Sequence, residues 1–281
     1  MRATGRIRAG MRAGLGRGFL ALGLGALALV TAAAPAQAQR PDPAYRLPGL
    51  VGPENPAPPA GLGARATKPD PRVKEAQAIL TSFGIPAGSV DGLFGPETGR
   101  GLCAFRRIAG LPVSRGPLDT KTLTALRTYD RTYPTLRDIP AREYLGKSTY
   151  LLAHQTCQVL FYVEGSHYRR VFATSTGMSG HRTPNGSYSL GPTQKGWYCS
   201  TLYPDGCTYH TEGWFASISN YGNMYNPRQV VGDIFLHGSM SVPPYPASHG
   251  CIRVRVIDAD WLYKYVGVGV RTPVFVTGTS F

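Results

Sequence analysis

The stretch DIFLHGSMSVPPYPASHGCIR, residues 233–253, decides how the chain is read. It opens on an apolar run, Ile234-Phe235-Leu236, of the kind that forms a buried strand. His237-Gly238 follows at once, and Ser248-His249-Gly250-Cys251-Ile252-Arg253 begins eleven residues after His237. Both segments read as strand ends leading into loops, where a rigid scaffold can present polar groups. A cysteine nucleophile acts as its thiolate, and a neighbouring imidazole lowers a thiol pKa from about 8.5 by taking its proton and leaving an ion pair. Gly238 and Gly250 keep the backbone open, so amide N–H groups around His249 to Cys251 can face a developing oxyanion. A zinc site made from His237, His249 and Cys251 competes with this reading, since three such ligands suffice for a catalytic zinc. No His-Glu-x-x-His occurs, nor Ser-x-x-Lys with Lys-Thr-Gly, which disfavours zinc peptidases of that type and serine penicillin-binding enzymes.

Around this stretch the signal is β. Tyr150–His154, Cys157–Glu164 and Tyr168–Thr174 are short runs rich in β-branched and aromatic residues, with a hairpin turn at Glu164-Gly165-Ser166-His167. Asn185-Gly186 precedes a strand over Ser187–Leu190, and Val231–Leu236 and Pro273–Val276 complete the set. One helix is predicted near the C-terminal side, Val256–Val266, with Ile257, Trp261 and Tyr265 on one face. Upstream the pattern changes to helical spacing: Val73, Gln77 and Leu80, then Leu102, Phe105 and Ile108 after Pro96, then Leu123 and Leu126. Asp119 or Thr120 is placed to cap the third of these helices.

The 281 residues suit one large or two ordinary domains. Hydrophobic residues at 42% are enough for real cores, while 35 Gly and 24 Pro imply many turns and a linker. Residues 1–38 read as a signal peptide: Arg2, Arg6, Arg8, Arg12 and Arg17 without an acid, an apolar run Phe19–Val30, then Ala36-Gln37-Ala38. An uncleaved N-terminal anchor is the competing reading. No apolar stretch after Ala38 is long enough to span a bilayer. Taking those five arginines from the formal net charge of +14 leaves +9. A basic exported protein is drawn to anionic polymers, and a cell envelope supplies them. The basic residues are scattered singly, with no stripe or module for nucleic acid. Residues 39–70 are a Pro-rich linker.

Five cysteines, Cys103, Cys157, Cys199, Cys207 and Cys251, leave at least one thiol unpaired in an oxidising compartment. Cys199 and Cys207 flank the turn Pro204-Asp205-Gly206 and are the expected disulfide. Cys157 and Cys103 lie among apolar neighbours and read as buried core thiols. Residues 194–228 hold Trp197, Tyr198, Tyr203, Tyr209, Trp214, Tyr221 and Tyr225, and read either as a disulfide-braced lid or as an ordinary packed loop cluster.

His237-Gly238 and Ser248-His249-Gly250-Cys251-Ile252-Arg253, with Ser175-Thr176-Gly177, Thr183-Pro184-Asn185-Gly186-x-Tyr188 and Thr272–Val276, resemble the L,D-transpeptidase (YkuD-like) family across about residues 147–281. The His-to-Ser spacer of ten residues, Gly238 to Ala247, is shorter than in many members, and Arg253 stands where some carry Asn. The order Gln77, Leu80, Gly84, Val90-Asp91-Gly92-x-Phe94-Gly95, Thr98, Phe105, Gly110-Leu111, Asp119, Thr122, Leu126 is similar to the peptidoglycan-binding domain 1 family, with Arg106 where Gln is frequent. These resemblances imply a multidomain chain. A small three-helix all-α module at 71–127 and a connector at 128–146 precede a mainly β, β-sandwich-like catalytic domain at 147–281.

By the same resemblance Cys251 attacks the carbonyl of the third residue of a tetrapeptide stem, D-alanine leaves, and an amine from a neighbouring stem resolves the thioester into a 3→3 cross-link. His237 is then the base, oriented by the Gly238 carbonyl. His249 is either catalytic or structural, and Ser248, Gly250 and Arg253 shape the loop and meet substrate. The expected partners are stem peptides and glycan strands, with no nucleic acid, no metal and no organic cofactor, in the cell wall, periplasm or extracellular space. Two alternatives stay open. An L,D-carboxypeptidase or cysteine peptidase would use water on the same stems, and a non-catalytic peptidoglycan-binding protein would make no use of Cys251.

Overall fold

The computed structural model describes residues 56–58, 62, 65–142, 147–202, 223–264 and 268–279. The signal-peptide segment, most of the linker, Cys207, Tyr265 and the centre of the aromatic stretch lie outside them. A helical N-terminal region precedes a mainly β region of two sheets. No helix among the described residues is long and apolar enough to cross a membrane.

Three helices come first: α1 (Pro71–Ser82), α2 (Pro96–Ala109) and α3 (Thr120–Thr132). Each start is locally encoded. Asp70 accepts the Arg72 N–H at the cap of α1, Pro96 occupies the first turn of α2, and Asp119 accepts the Thr122 N–H at the cap of α3. Gln77 organises the Asp91-Gly92 turn, accepting from the N–H groups of both and donating to Thr98 Oγ1 at 3.0 Å. Arg106 has a comparable function. Its buried guanidinium donates to the carbonyls of Ser114, Gly116 and Pro117, to Thr122 Oγ1 and to Asp119 Oδ2. A fork of five N–H groups suits that number of acceptors, which a glutamine cannot serve.

After a 3₁₀ turn at Leu136–Asp138 the first sheet begins with β1 (Tyr150–His154), β2 (Val159–Glu164) and β3 (His167–Ala173). β4 (Gly186–Ser189) closes one edge, and β9 (Pro273–Thr277) lies between β4 and β1, parallel to β1. The second sheet runs in the order β5 (Trp197–Tyr198), β6 (Met224–Val231), β7 (Ile234–Ser239), β8 (Ile252–Arg255), with β7 and β8 parallel. α4 (Val256–Lys264) follows β8 directly.

The strand expectations over β1, β2, β3, β4 and β9 match the structure to within two residues. The segment Val231–Leu236 does not, because Gly232 and Asp233 form a turn between β6 and β7, and the strand runs on through His237 to Ser239. α4 buries Asp258, Ala259 and Leu262 rather than the Ile257 face, and Ile257 is half exposed. The cause is the fully buried Asp258 carboxylate, which takes Arg255 at 2.6 Å and Arg170 at 3.2 Å and thereby sets which side of the helix faces inward.

β1 is buried on both faces, in keeping with alternate side chains pointing to opposite sides. Tyr150 and Leu152 enter a core shared with Leu80, Leu102, Phe105 and Leu126 of the helices. Leu151 and Ala153 enter a second core with Leu236, Ile252 and Val254 of the other sheet. The helices therefore cover one face of the first sheet, and the second sheet covers the other.

Cys103 of α2 and Cys157, between β1 and β2, are disulfide-bonded with their Cα atoms 5.3 Å apart, which corrects the expectation of two core thiols. Both cysteines line the helix–sheet core, and that shared burial brings them into bonding range. Among the described residues Cys251 is the free thiol. The bridge spans a sequence separation of 54 residues, and closing a loop of that size stabilises a fold by about 2–4 kcal/mol. Replacing both cysteines with Ser, or reducing the protein, is expected to lower denaturant stability by that amount, read by circular dichroism. An unchanged midpoint would mean the bridge adds nothing to cohesion.

Candidate active site

The parallel pairing of β7 with β8 builds the site. Leu236 lies opposite Ile252, and His237 opposite Arg253. Since side chains alternate along a strand, Leu236 and Ile252 point into the core while His237, Cys251 and Arg253 share the other face. Cys251 thus stands immediately before β8, where loop meets strand, while His237 lies inside β7 rather than at its end. Both residues are almost fully buried and line one narrow cleft with Ser200, Asn223, Met224, Ser248, His249 and Arg253.

His237 Nδ1 is 2.9 Å from the carbonyl oxygen of Gly238. A carbonyl only accepts, so Nδ1 carries the proton and Nε2 presents its lone pair. Burial pulls the imidazole from the ordinary 6.5 down to about 4, against the Gly238 carbonyl, with help from the positive Arg253. Burial also pushes the Cys251 thiol up, opposed by the Phe235 N–H and Arg253 and reinforced by Asp233. Cys251 Sγ accepts the Phe235 N–H at 3.4 Å and lies 3.8 Å from the Asp233 carbonyl, to which it donates. Both shifts oppose an ion pair in the free site, because burial penalises the charged form of each group.

The loop ahead of Cys251 is held from within and without. Ser248 is 1% exposed; its hydroxyl donates to the Cys251 carbonyl at 2.5 Å and accepts the Gly250 N–H at 3.1 Å. Ser248 therefore shapes the loop, and the Gly250 N–H is engaged within it. Gly250 has φ +118°, a conformation side-chain-bearing residues rarely adopt. The His249 ring packs on His181 with centroids 4.7 Å apart, and its pKa is lowered by burial and then by His181 and Arg253. Arg253 is 5% exposed, and its backbone pairs with Ser175 in both directions at 3.0 Å.

Thr183 opens the Thr-Pro-Asn-Gly segment, and its buried hydroxyl joins two walls of the site. It accepts the Gly177 N–H at 2.9 Å and donates to the Gly250 carbonyl at 2.7 Å. Gly177 permits this, because a Cβ there would fall 2.0 Å from the His181 carbonyl. Gln158, buried between β1 and β2, donates to Thr176 Oγ1 and accepts the Thr176 N–H, both at 2.8 Å. Neither role shows in composition or period, since each depends on partners far along the chain.

Of the aromatic stretch, Trp197 and Tyr198 form β5 and pair with β6, so the start of that stretch is sheet rather than loop. Ser200 and Asn223 bring its two described ends to the cleft. The proposed Cys199–Cys207 pair includes Cys207, outside the described residues. Among the described residues no group of three His, Cys, Asp or Glu side chains is placed to hold a metal ion, so His237, His249 and Cys251 do not form a ligand set.

Residues 148–276 match the YkuD family, described as an L,D-transpeptidase catalytic domain, and residues 69–126 match the family described as "Putative peptidoglycan binding domain". A curated relative, "Putative L,D-transpeptidase YciB" of Bacillus subtilis (strain 168), is 24% identical over 148 residues, covering 51% of this chain and 73% of its own. Among solved structures, the L,D-transpeptidase of Xylanimonas cellulosilytica is similar at 27% identity and TM-score 0.47, covering 78% of this chain and 100% of the other. That of Stackebrandtia nassauensis is similar at 20% identity and TM-score 0.43, covering 78% and 97%.

Thr183→Val keeps the side-chain shape but strands the Gly177 N–H and the Gly250 carbonyl. A loss of about 1–3 kcal/mol in denaturant stability is expected, the usual cost of leaving buried polar groups unpaired. Wild-type stability in that variant would show the bridge to be dispensable.

Proposed function

We propose that this chain, which carries a YkuD L,D-transpeptidase catalytic domain and a peptidoglycan-binding domain, is an exported cell-wall enzyme that makes 3→3 cross-links through a cysteine nucleophile. The observation that carries this reading is the shared strand face of His237 and Cys251, with the imidazole oriented by the Gly238 carbonyl. An acidic residue plays that orienting part in other triads. The substrate is the peptidoglycan tetrapeptide stem.

In the acylation step Cys251 Sγ attacks the carbonyl carbon of the third stem residue. Nε2 of His237 takes the thiol proton as the S–C bond forms. The negative charge that develops on the carbonyl oxygen is met by backbone N–H groups of the 249–251 segment. The tetrahedral intermediate collapses, the C–N bond to D-alanine breaks, and the imidazolium returns its proton to the leaving amine. A thioester on Cys251 remains. An amine from a second stem then attacks it, His237 accepts a proton from that amine, and the Cys251 thiol is regenerated as the new amide forms. Glycan binding by the helical region would keep acceptor stems near at hand.

Burial of both groups makes an ion pair costly in the free site, and that cost falls when substrate is present to share the charge.

Incubating the protein without residues 1–38 with a disaccharide-tetrapeptide is expected to give a tripeptidyl adduct on Cys251, free D-alanine and a cross-linked dimer by mass spectrometry. Cys251→Ala should give none of these. Tripeptide without dimer would shift the assignment to an L,D-carboxypeptidase, and a fully active Cys251→Ala would sink the cysteine mechanism.

The pH profile offers a separate check. His237 acts as base only when neutral, and its lowered pKa of about 4 keeps it neutral well below the ordinary 6.5. The ratio kcat/KM should stay level as pH falls from about 7 to about 5 and be lost on approaching pH 4. An acid limb centred near 6.5, in protein shown by circular dichroism to be folded, would contradict a buried neutral base.

A further inference from the structure

We propose that Arg100, on helix α2 of the peptidoglycan-binding region, is a positioning residue for the Cys251 loop, so that the helical region is a working part of the catalytic site as well as a wall anchor. The inference rests on the assignment of Cys251 as nucleophile and goes beyond it.

Arg100 is 2% exposed, which is rare for a charged side chain. Its guanidinium pairs with Glu97 at 3.0 Å, one turn back on the same helix. The rest of it reaches out of the helical region. Nη2 donates to the carbonyls of Pro243 at 2.6 Å, Val242 at 3.4 Å and Thr174 at 3.3 Å. One planar group therefore touches two separate walls of the site.

Each wall leads directly to the chemistry. Val242 and Pro243 lie between β7, which carries His237, and Ser248 at the head of the Cys251 turn. Thr174 directly follows β3, its hydroxyl donates to the Arg253 carbonyl at 2.6 Å, and it precedes Ser175, whose backbone pairs with Arg253.

The loop sequence explains why an outside donor is needed. In Val242-Pro243-Pro244-Tyr245-Pro246 three of five residues lack an N–H. Such backbone forms no internal hydrogen bonds, and its carbonyls must find donors elsewhere. Ser175 Oγ supplies one to Tyr245 at 2.6 Å. The Thr176 carbonyl takes the N–H groups of Ala247 and Ser248 at 2.9 and 3.1 Å. At the upstream end, Val242 and Pro243, the donor is Arg100.

A buried arginine is seldom retained for stability alone, because a well-packed apolar side chain serves as well or better there. Its gain here is geometric: it fixes where the loop runs relative to β3. Cys103, one turn further along α2, ties the same helix to Cys157 and holds Arg100 at its working distance.

The test compares Arg100→Met and Arg100→Lys with wild type. Arg127→Ala serves as a control that removes an exposed arginine paired with Glu75. Three quantities are read: kcat and KM on the stem substrate, the rate of Cys251 alkylation by iodoacetamide, and the melting transition. With Arg100→Met folded, kcat should fall about 10–100-fold, the scale on which small misplacements near reacting atoms act, while KM stays within about threefold. Alkylation should quicken as the loop over the buried thiol loosens. Arg100→Lys, with one ammonium for three carbonyls, should recover part of kcat, and Arg127→Ala should match wild type.

Wild-type kcat and alkylation in folded Arg100→Met overturn the proposal, as does a rise in KM with kcat intact. Should Arg100→Met fail to fold, Arg100→Lys decides alone: wild-type kcat and alkylation there overturn it too. Alkylation needs no stem substrate. If the wild type turns over no stem, the functional assignment fails while the dependence of thiol reactivity on Arg100 is still measured.

Discussion

β1, inside the first sheet, has no face left for water. Along β1, Tyr150 and Leu152 point one way and Leu151 and Ala153 the other, and all are buried. A sheet of that kind must be covered on both sides, as parallel sheets within α/β layers are. The helices supply one cover and the second sheet the other. This constraint brings β7 and β8 to their position, and the paired strands then decide which side chains meet in the cleft. It also accounts for the Cys103–Cys157 bridge, since two thiols buried in one helix–sheet core are within reach of each other.

The site is built by opposing what its groups would do in water. Burial depresses the basicity of His237 and the acidity of Cys251 together. The surrounding hydrogen bonds are mostly spent on the loop itself: Ser248 on Gly250 and Cys251, Thr183 on Gly177 and Gly250, Gln158 on Thr176. A thiol that is enclosed and disfavoured as thiolate is also sheltered from oxidation.

Much of this was legible in the residues. Runs rich in β-branched and aromatic residues located most strands of the first sheet, and Pro96 and Asp119 announced two of the helix starts because capping is a local property. The pairing of His237-Gly238 with Ser248–Cys251 carried the site. What could not be read depended on distant partners. β6 was hidden because Asn226, Pro227 and Arg228 break the apolar pattern, with Asn226 at φ +46° and Arg228 donating to Val268 across the fold. The inward face of α4 follows a buried carboxylate that only Arg170 and Arg255 make tolerable. Arg100 reads as an ordinary surface charge until the proline-rich loop is laid against it.

The place of β9 has a kinetic consequence. Of the nine strands among the described residues it comes last, yet it lies inside its sheet, between β1 and β4, with Val274 opposite Leu151. The middle of the sheet cannot close until a segment more than a hundred residues downstream returns to it. Parallel pairings of such long range are slow to form, because loop-closure entropy is spent before any contact rewards it. A chain ordered in this way does not complete its core progressively as it emerges. It finishes late and as a whole.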